Sequence, residues 1–420
     1  MSPPKKQKTT TAAKRRSDAS SDQRPSFDIE QALTTAIKNH QSGNLQQAEK
    51  IYEEILSINP NHAETLHAQA ILACHRDQHA AAVDLFQKAI KENPTNPAYH
   101  FNLGNALKDL GRFDEAVTCY EQALLLKPDY LEASNNLGIA FHSQGKFDEA
   151  ISAYQKALQL KPDHAETLYN LANTLQSQGR LQEALLSYQK ALAAKKDFPE
   201  VYNHLGNIFC KQGNPEAAIG CFQYALRIDP TSAEYYFNLA MALKQQGKLD
   251  EAITCFQKVI ELAPSSAIAY SNLGSILNDR GRATEAEACL RRAMELKPDL
   301  AEAYSNLGNV LRCQGRLTEA EASLRRAMEL KPDLAEAYTS LGNVLQGQGQ
   351  FTEAEASLRR ALELKPNSAG AYTNLGGTLM AQNLLNDAEV CYRRAIELIP
   401  DDAEALSNLL FCLTHNATVD

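Results

Sequence analysis

A 34-residue period is the feature that most constrains what this 420-residue chain can fold into. Residues 301–332 read AEAYSNLGNVLRCQGRLTEAEASLRRAMELKP, and the segment returns at 335–366 with seven positions changed. Prolines keep the same spacing along the chain, at positions 60, 94, 128, 162, 230, 264, 298, 332, 366 and 400. A period of roughly 20 to 50 residues is typical of solenoids, in which each repeat packs against its neighbours. We therefore expect a repeat protein.

Each repeat has the pattern of two amphipathic helices. With Ala301 as position one, Leu307 and Leu311 lie on one helical face, and Ala320 and Leu324 lie on a second. Apolar residues three or four apart are typical of a helix that buries one side. Gly315, between the two stripes, suits the left-handed conformation that ends a helix. The repeat therefore predicts two antiparallel helices of about a dozen residues joined by a short turn.

Small residues recur at position twenty, where the two helices of a repeat are expected to approach. We assign a structural role to the alanines that occupy it, namely Ala116, Ala150, Ala184, Ala218, Ala252, Ala286, Ala320 and Ala354. A larger side chain would separate the backbones, so an Ala→Leu change is expected to cost about 1–3 kcal/mol. Thr318 followed by Glu321 predicts a capping box at the start of the second helix.

These residues resemble the tetratricopeptide repeat, whose aromatic, Leu, Gly, Ala and Pro pattern is matched over Ile29–Asn416. The resemblance implies an all-α fold, a right-handed superhelical α-solenoid of eleven antiparallel helix pairs plus one extra helix. We predict a disordered basic tail at 1–26, a solenoid at 27–416 and a C-terminal end at 417–420. The predicted repeats are 29–62, 63–96, 97–130, 131–164, 165–198, 199–232, 233–266, 267–300, 301–334, 335–368 and 369–402, with a half repeat at 403–416.

Charge is distributed unevenly along the chain. The net charge is −9, but residues 1–25 hold seven basic and two acidic side chains, which leaves −14 for the remainder. An acidic body disfavours nucleic acid as a partner. The sequence contains no apolar run of membrane-spanning length and no signal-peptide core. We expect an intracellular, cytoplasmic protein without membrane contact, which would be nuclear if the basic tail is an import signal.

The motifs of common enzyme classes are missing from the sequence. It contains no GxxxxGK[ST], GxGxxG, HExxH or GxSxG motif, and no Cys-x-x-Cys pair. Five of its nine cysteines fall at position twenty-three of different repeats. Successive helices are about 8–10 Å apart, too far for such cysteines to form disulfides. We therefore predict a non-enzyme without cofactor, metal site or disulfide framework.

Asparagine recurs at position six of the first helix, at Asn102, Asn136, Asn170, Asn238, Asn272, Asn306, Asn374 and Asn408. Position six shares a helix face with positions two, nine and thirteen, away from the apolar stripe. In the tetratricopeptide fold the first helices line the concave surface, so the resemblance implies an asparagine ladder along a groove. An amide offers both a donor and an acceptor to the backbone of an extended peptide. Alternatively, these asparagines join one repeat to the next; the two roles are compatible.

Arginine pairs at 291–292, 325–326, 359–360 and 393–394 could form a basic ladder. Each first arginine has a glutamate four residues earlier, as in Glu287 and Arg291. This order favours ion pairs within a helix, worth roughly 0.2–0.5 kcal/mol each. We therefore predict a solvated face whose charges neutralise one another.

Three functions follow from these observations. The favoured one is a non-catalytic scaffold that binds extended segments of other proteins in its groove. The second follows from resemblance: the repeats ending in SNLLFCLTHN resemble the substrate-recognition arm of tetratricopeptide-containing O-linked N-acetylglucosamine transferases and their bacterial relatives. The catalytic domain of such an enzyme would be absent from this chain, and residues 403–416 would contact a catalytic partner. The third is a structural rod that self-associates through the apolar residues 403–416.

Overall fold

The computed structural model describes residues 1–2 and 28–416, which form helices and no strand. The predicted basic tail, apart from its first two residues, and residues 417–420 lie outside the described part. The helices are α1 Ile29–Gln41, α2 Leu45–Ile58, α3 Ala63–Cys74, α4 His79–Glu92, α5 Pro97–Asp109, α6 Phe113–Leu126, α7 Leu131–Ser143, α8 Phe147–Leu160, α9 Ala165–Ser177, α10 Leu181–Ala194, α11 Pro199–Lys211, α12 Pro215–Ile228, α13 Ala233–Gln245, α14 Leu249–Leu262, α15 Ala267–Asp279, α16 Ala283–Leu296, α17 Ala301–Cys313, α18 Leu317–Leu330, α19 Ala335–Gly347, α20 Phe351–Leu364, α21 Ala369–Ala381, α22 Leu385–Leu398 and α23 Ala403–Asn416.

The chain forms two compact units, Met1–Ala194 and Lys195–Asp420. Within each unit, the two helices of every repeat pack together, and each repeat contacts the next. This pairing confirms the predicted all-α repeat fold. Among the described helices, none combines the length and the apolarity needed to cross a bilayer.

The turn inside each repeat depends on a residue with positive φ. Gly315 has φ +77°, and eight other turn glycines lie between +73° and +79°. Where glycine is missing, Asp77 and Asn383 take its place at φ +57° and +63°. Asp and Asn tolerate the left-handed region better than most side chains. The turn geometry is therefore kept even where the sequence departs from the pattern.

The starts of the helices correct one local prediction. The second helix of repeat nine begins at Leu317 after Arg316, and no side chain caps it. The expected capping box of Thr318 and Glu321 is therefore wrong, because Thr318 already lies inside the helix. Side-chain capping occurs instead at several first helices, where Ser232 and Ser368 accept from backbone N–H groups.

The core of each repeat lies between its two helices. All eleven alanines at position twenty have no exposed surface. Beside them, the position-eight backbone approaches the position-twenty-four side chain: a Cβ added to Gly138 would lie 2.5 Å from a ring carbon of Tyr154. In repeat nine, a Cβ added to Gly308 would lie 2.5 Å from Leu324 Cγ. These contacts bring the two helices of each repeat together.

Candidate groove on the first helices

The position-six asparagines are half-buried, and most of them join consecutive first helices. In the first unit, the side-chain amide of Asn102 contacts His67 Nε2 at 2.8 Å, Asn136 donates to Asn105 Oδ1 at 2.8 Å, and Asn170 donates to Asn135 Oδ1 at 3.1 Å. All three bonds reach back to the preceding repeat. The contact between repeats that the sequence left as an alternative role is thus present in the structure.

The second unit repeats this arrangement less regularly. Asn238 donates to Asn203 Oδ1 at 2.8 Å, and Asn306 donates to Ser271 Oγ at 3.3 Å. Asn272 bonds only to the carbonyl of Ile268 in its own helix. The side chains of Asn374 and Asn408 make no hydrogen bond to the described residues. The predicted ladder therefore contains both bonded and unbonded amides.

Sequence reasoning missed the partners of these asparagines, which occupy positions five and nine. Asn105 Oδ1 accepts from both Asn136 and the buried Tyr120 hydroxyl, the latter at 2.8 Å. Asn135 donates to Asn136 Oδ1 at 3.2 Å and accepts from Asn170. A continuous amide relay thus runs through repeats three to five. Its signal in the sequence is a polar residue at position five or nine of the repeat that precedes each bonded asparagine.

A cavity of about 560 Å³ lies beside the first helices of repeats one to three. It is lined by Ile37, Ile71 and three histidines. His40 and His75 approach each other at 2.9 Å between ring nitrogens, and His67 stacks on Tyr99 at 4.4 Å between ring centroids. Burial lowers the pKa of His67 to about 4, so this imidazole is neutral near pH 7.

Two further cavities lie on the first-helix face of the second unit. One, of about 550 Å³, extends from Lys244 to Glu336 and includes Asn272 and Asn306. The other, of about 270 Å³, includes Asn374. Residues from positions two, five, six and nine of consecutive repeats line both of them. Polar side chains at positions two, six and nine, which were predicted to share one face, therefore border open space large enough for peptide side chains, together with position-five residues that were not predicted.

The arginine pairs lie on second helices and are paired with acids. Arg291, Arg325, Arg359 and Arg393 each bond to the glutamate four residues earlier. Each second arginine bonds to a glutamate three residues later, as Arg292 does to Glu295 at 2.8 Å. The prediction of a self-neutralised face is confirmed.

The cysteines form no disulfide; all nine lie in the described part of the chain and are free. At position twenty-three, burial raises the pKa of Cys119, Cys221, Cys255 and Cys391 to about 11. These thiols therefore stay protonated near pH 7 and serve as packing groups.

Family comparisons agree with this repeat geometry. Residues 198–409, which are 212 of the 420, match the model of the C-terminal domain of cilia and flagella-associated protein 70. Residues 101–165 and 141–208 match two tetratricopeptide repeat models, and residues 41–123 match subunit 3 of the anaphase-promoting complex, or cyclosome. The chain belongs to the tetratricopeptide repeat family.

Two curated relatives share short stretches of this tetratricopeptide chain. The mouse protein O-mannosyl-transferase TMTC1 is 32% identical over 95 residues, which cover 22% of this chain and 10% of the relative. The tomato (Solanum lycopersicum) protein SPINDLY, a probable UDP-N-acetylglucosamine–peptide N-acetylglucosaminyltransferase, is 31% identical over 107 residues, covering 26% of this chain and 12% of the relative. The chain thus spans about a tenth of the length of either relative.

A solved structure shows the same tetratricopeptide fold. The crystal structure of the anaphase-promoting complex hetero-tetramer Cut9–Hcn1 superimposes with a TM-score of 0.53 and 14% identity, covering 92% of this chain and 96% of that one. At this identity the likeness concerns the fold alone.

The last tetratricopeptide helix, α23, exposes apolar side chains. Leu406, Leu410 and Phe411 are 45%, 66% and 51% exposed. On the opposite side, Cys412 is fully buried and its thiol donates to the carbonyl of Leu385 at 3.2 Å. The half repeat is therefore docked on α22 with one apolar face left open.

Proposed function

We propose that the protein is a non-catalytic scaffold that binds extended segments of other proteins along the face of its first helices. The observation that carries this proposal is the pair of cavities in the second unit, lined by polar side chains from consecutive repeats. A surface built from equivalent positions of a repeat matches the regular backbone of an extended peptide.

The ladder retains hydrogen-bonding capacity after its contacts between repeats. An asparagine amide has two N–H donors and an oxygen that accepts two bonds. Asn306 uses one donor toward Ser271, and the described residues offer no partner to its oxygen. A peptide backbone would supply partners to such groups. Each bond adds roughly 0.5–1.5 kcal/mol net, so affinity arises from several weak contacts.

Selection from a phage-displayed library of random 16-residue peptides tests this function. We expect the protein to enrich peptides, and Asn272→Ala combined with Asn374→Ala to weaken their binding. These two asparagines make no hydrogen bond to another repeat, so their loss leaves the packing intact. A matched control replaces two exposed amides on second helices, Gln223→Ala and Gln257→Ala. Equal peptide binding by both double variants would show that Asn272 and Asn374 do not take part in peptide binding.

A second candidate is the substrate-recognition arm of a protein O-glycosyltransferase. The similarity to SPINDLY over 107 residues favours it, since that relative's name describes a peptide N-acetylglucosaminyltransferase. In this case the captured peptides would also be acceptor substrates. Incubating the enriched peptides with UDP-N-acetylglucosamine and a lysate of the source organism should glycosylate them, and adding an excess of this chain should compete. Peptides that never acquire sugar would contradict the second candidate and leave the scaffold function standing.

A self-associating rod is the remaining candidate, and the exposed face of α23 favours it. It would give a molar mass that rises with protein concentration in light scattering. Leu406→Glu with Leu410→Glu should then restore the monomer mass. A constant monomer mass would contradict this candidate.

A further inference from the structure

An ion pair recurs at the edge of the groove in repeats nine and ten. Lys331 Nζ lies 2.9 Å from Glu302 Oε1, and Lys365 Nζ lies 3.0 Å from Glu336 Oε1. Both pairs join position thirty-one, at the end of the second helix, to position two, at the start of the first helix. In each of these repeats the lysine therefore has its charge neutralised by a carboxylate of the same repeat.

Repeat eight keeps the lysine and lacks the glutamate. Its position thirty-one is Lys297, and its position two is Ile268, which is 50% exposed. Lys297 forms no ion pair with a described residue, including Asp299 two positions later. The nearby Glu302 is already bonded to Lys331. Lys297 is thus an exposed cation, whereas the equivalent lysines of the next two repeats are each paired with a glutamate.

This unpaired lysine lines the cavity of about 550 Å³ in the second unit. A second lysine, Lys244, also lines it and contacts only Ser275 Oγ, at 3.5 Å. The carboxylates along the cavity, Glu302 and Glu336, are both neutralised by their own lysines. The cavity lining therefore holds two lysines that form no ion pair with a described residue, although Lys297 also acts at longer range on Glu302 and helps to lower the pKa of that carboxyl.

Neutral groups around these lysines complete the surface. Ser271, Asn272 and Asn306 supply hydrogen-bonding groups, and Ile268, Leu300 and Leu334 supply apolar contact. An aliphatic stem ending in an anion would satisfy both kinds of surface. A cationic side chain would meet the lysines at close range and be repelled.

We propose that this cavity selects an anionic side chain of the bound segment, with Lys297 and Lys244 as its counter-charges and Ile268 beside its aliphatic stem. This inference rests on the proposed function, because it assigns a side-chain preference to the groove. It concerns an internal side chain of a protein segment, and both a carboxylate and a phosphate ester have the required charge.

The decisive variant is Ile268→Glu, which gives repeat eight the glutamate that the next two repeats carry. Because Ile268 is half exposed and the equivalent ion pairs already exist in this fold, the variant is expected to remain folded; circular dichroism checks this. The matched control is Val390→Glu, which adds the same charge at a 66% exposed valine on a second helix. The peptide selection is repeated on the native chain and both variants.

We expect the native chain and the Val390→Glu variant to enrich peptides that contain Asp or Glu beside an aliphatic residue. The Ile268→Glu variant should still enrich peptides, but without the acidic preference. Equal acidic enrichment by all three proteins would overturn the inference. Enrichment without any acidic preference in the native chain would overturn it while leaving the scaffold function intact. A native chain that enriches no peptide would overturn both.

Synthetic peptides then identify the anion. One enriched sequence is made with Glu, Gln or phosphoserine at the selected position, and binding is followed by fluorescence anisotropy. Exchanging Glu for Gln should weaken binding to the native chain about fivefold, since partly exposed ion pairs are weak. The same exchange should have no effect on Ile268→Glu, and an undiminished loss there would overturn the assignment. Tighter binding of the phosphoserine peptide than of the Glu peptide would assign the cavity to phosphate.

Discussion

Repeats three to five of the first unit and repeats nine and ten of the second present the same repeat with different side chains, both in the core and along the first helices. Repeat four packs the Tyr154 ring against Gly138, whereas repeat nine packs Leu324 against Gly308. Along the first helices, repeats three to five are joined by neutral amides, whereas repeats nine and ten carry Glu–Lys pairs. A 34-residue spacing thus maintains one backbone arrangement while the chemistry of core and groove changes independently.

The core contrast gives the largest expected effect. Ala150→Leu places a larger side chain beside Tyr154, whose rigid ring has few ways to repack, while Ala320→Leu meets the more adaptable Leu324. Both should lower the free energy of unfolding by about 1–3 kcal/mol, the first by more than the second. Urea unfolding followed by circular dichroism measures this, and equal losses would show that the ring does not stiffen its repeat.

Glu287 shows how charge joins repeats in the second unit. It is 16% exposed and accepts from Arg291 in its own helix and from Gln314 and Arg316 in the next repeat. Burial would raise the pKa of this carboxyl, but the hydrogen bonds from Gln314, Arg316 and Arg291 outweigh it and lower the pKa to about 2.

Glu287→Gln should therefore destabilise repeats eight and nine by about 2 kcal/mol. In the first unit, Glu115 is exposed and bonds only to Arg112, the residue that precedes α6, so Glu115→Gln should change stability much less than Glu287→Gln does. Thermal unfolding of the two variants tests the comparison. Similar small effects would mean that the bonds between repeats around Glu287 contribute little.

The histidines make the first unit sensitive to pH. The folded pKa of His67, about 4, is below its unfolded value because burial disfavours the charged ring. The unfolded state therefore binds more protons, and stability falls as pH decreases from about 6.5 toward 4. We expect a loss of about 1–2 kcal/mol between pH 7 and pH 5 in repeats one to three. Repeats eight to ten, residues 267–368, contain no histidine and should lack this loss.

Hydrogen exchange at both pH values, corrected for intrinsic exchange rates, resolves the two regions. His67→Gln is the control, since an amide at this position keeps an acceptor for Asn102 and does not titrate. The variant should be less sensitive to pH in repeats one to three. Unchanged sensitivity would assign the effect to His40, whose pKa is also lowered, by burial and by the neighbouring His75.

The smallest expected effect compares two asparagines of the ladder. Asn136→Ala breaks the relay between repeats three and four and should cost about 1 kcal/mol. Asn272→Ala loses only a bond to its own helix and should cost less than about 0.5 kcal/mol. Chemical denaturation measures both. A cost for Asn272→Ala as large as that for Asn136→Ala would contradict the difference between an amide that bonds to another repeat and one that bonds only within its own helix.

The sequence by itself determined the helix pairs, their turns and the buried positions. It could do so because glycine or its Asp and Asn substitutes at the turn, alanine at position twenty and the apolar spacing each act within one repeat or between adjacent helices. The register of the arginine ion pairs was predictable for the same reason, since it depends on separations of three or four residues within a helix.

Only the tertiary structure decided which polar groups meet between repeats. The bonds from Asn136 to Asn105 and from Arg316 to Glu287 join residues about thirty positions apart. Their formation depends on how far one helix is offset and rotated against the next, which a 34-residue period leaves open. The absence of an ion pair at Lys297 depends on the same geometry. The fold brings position two beside position thirty-one, and in repeat eight position two is Ile268, which has no charge to offer Lys297.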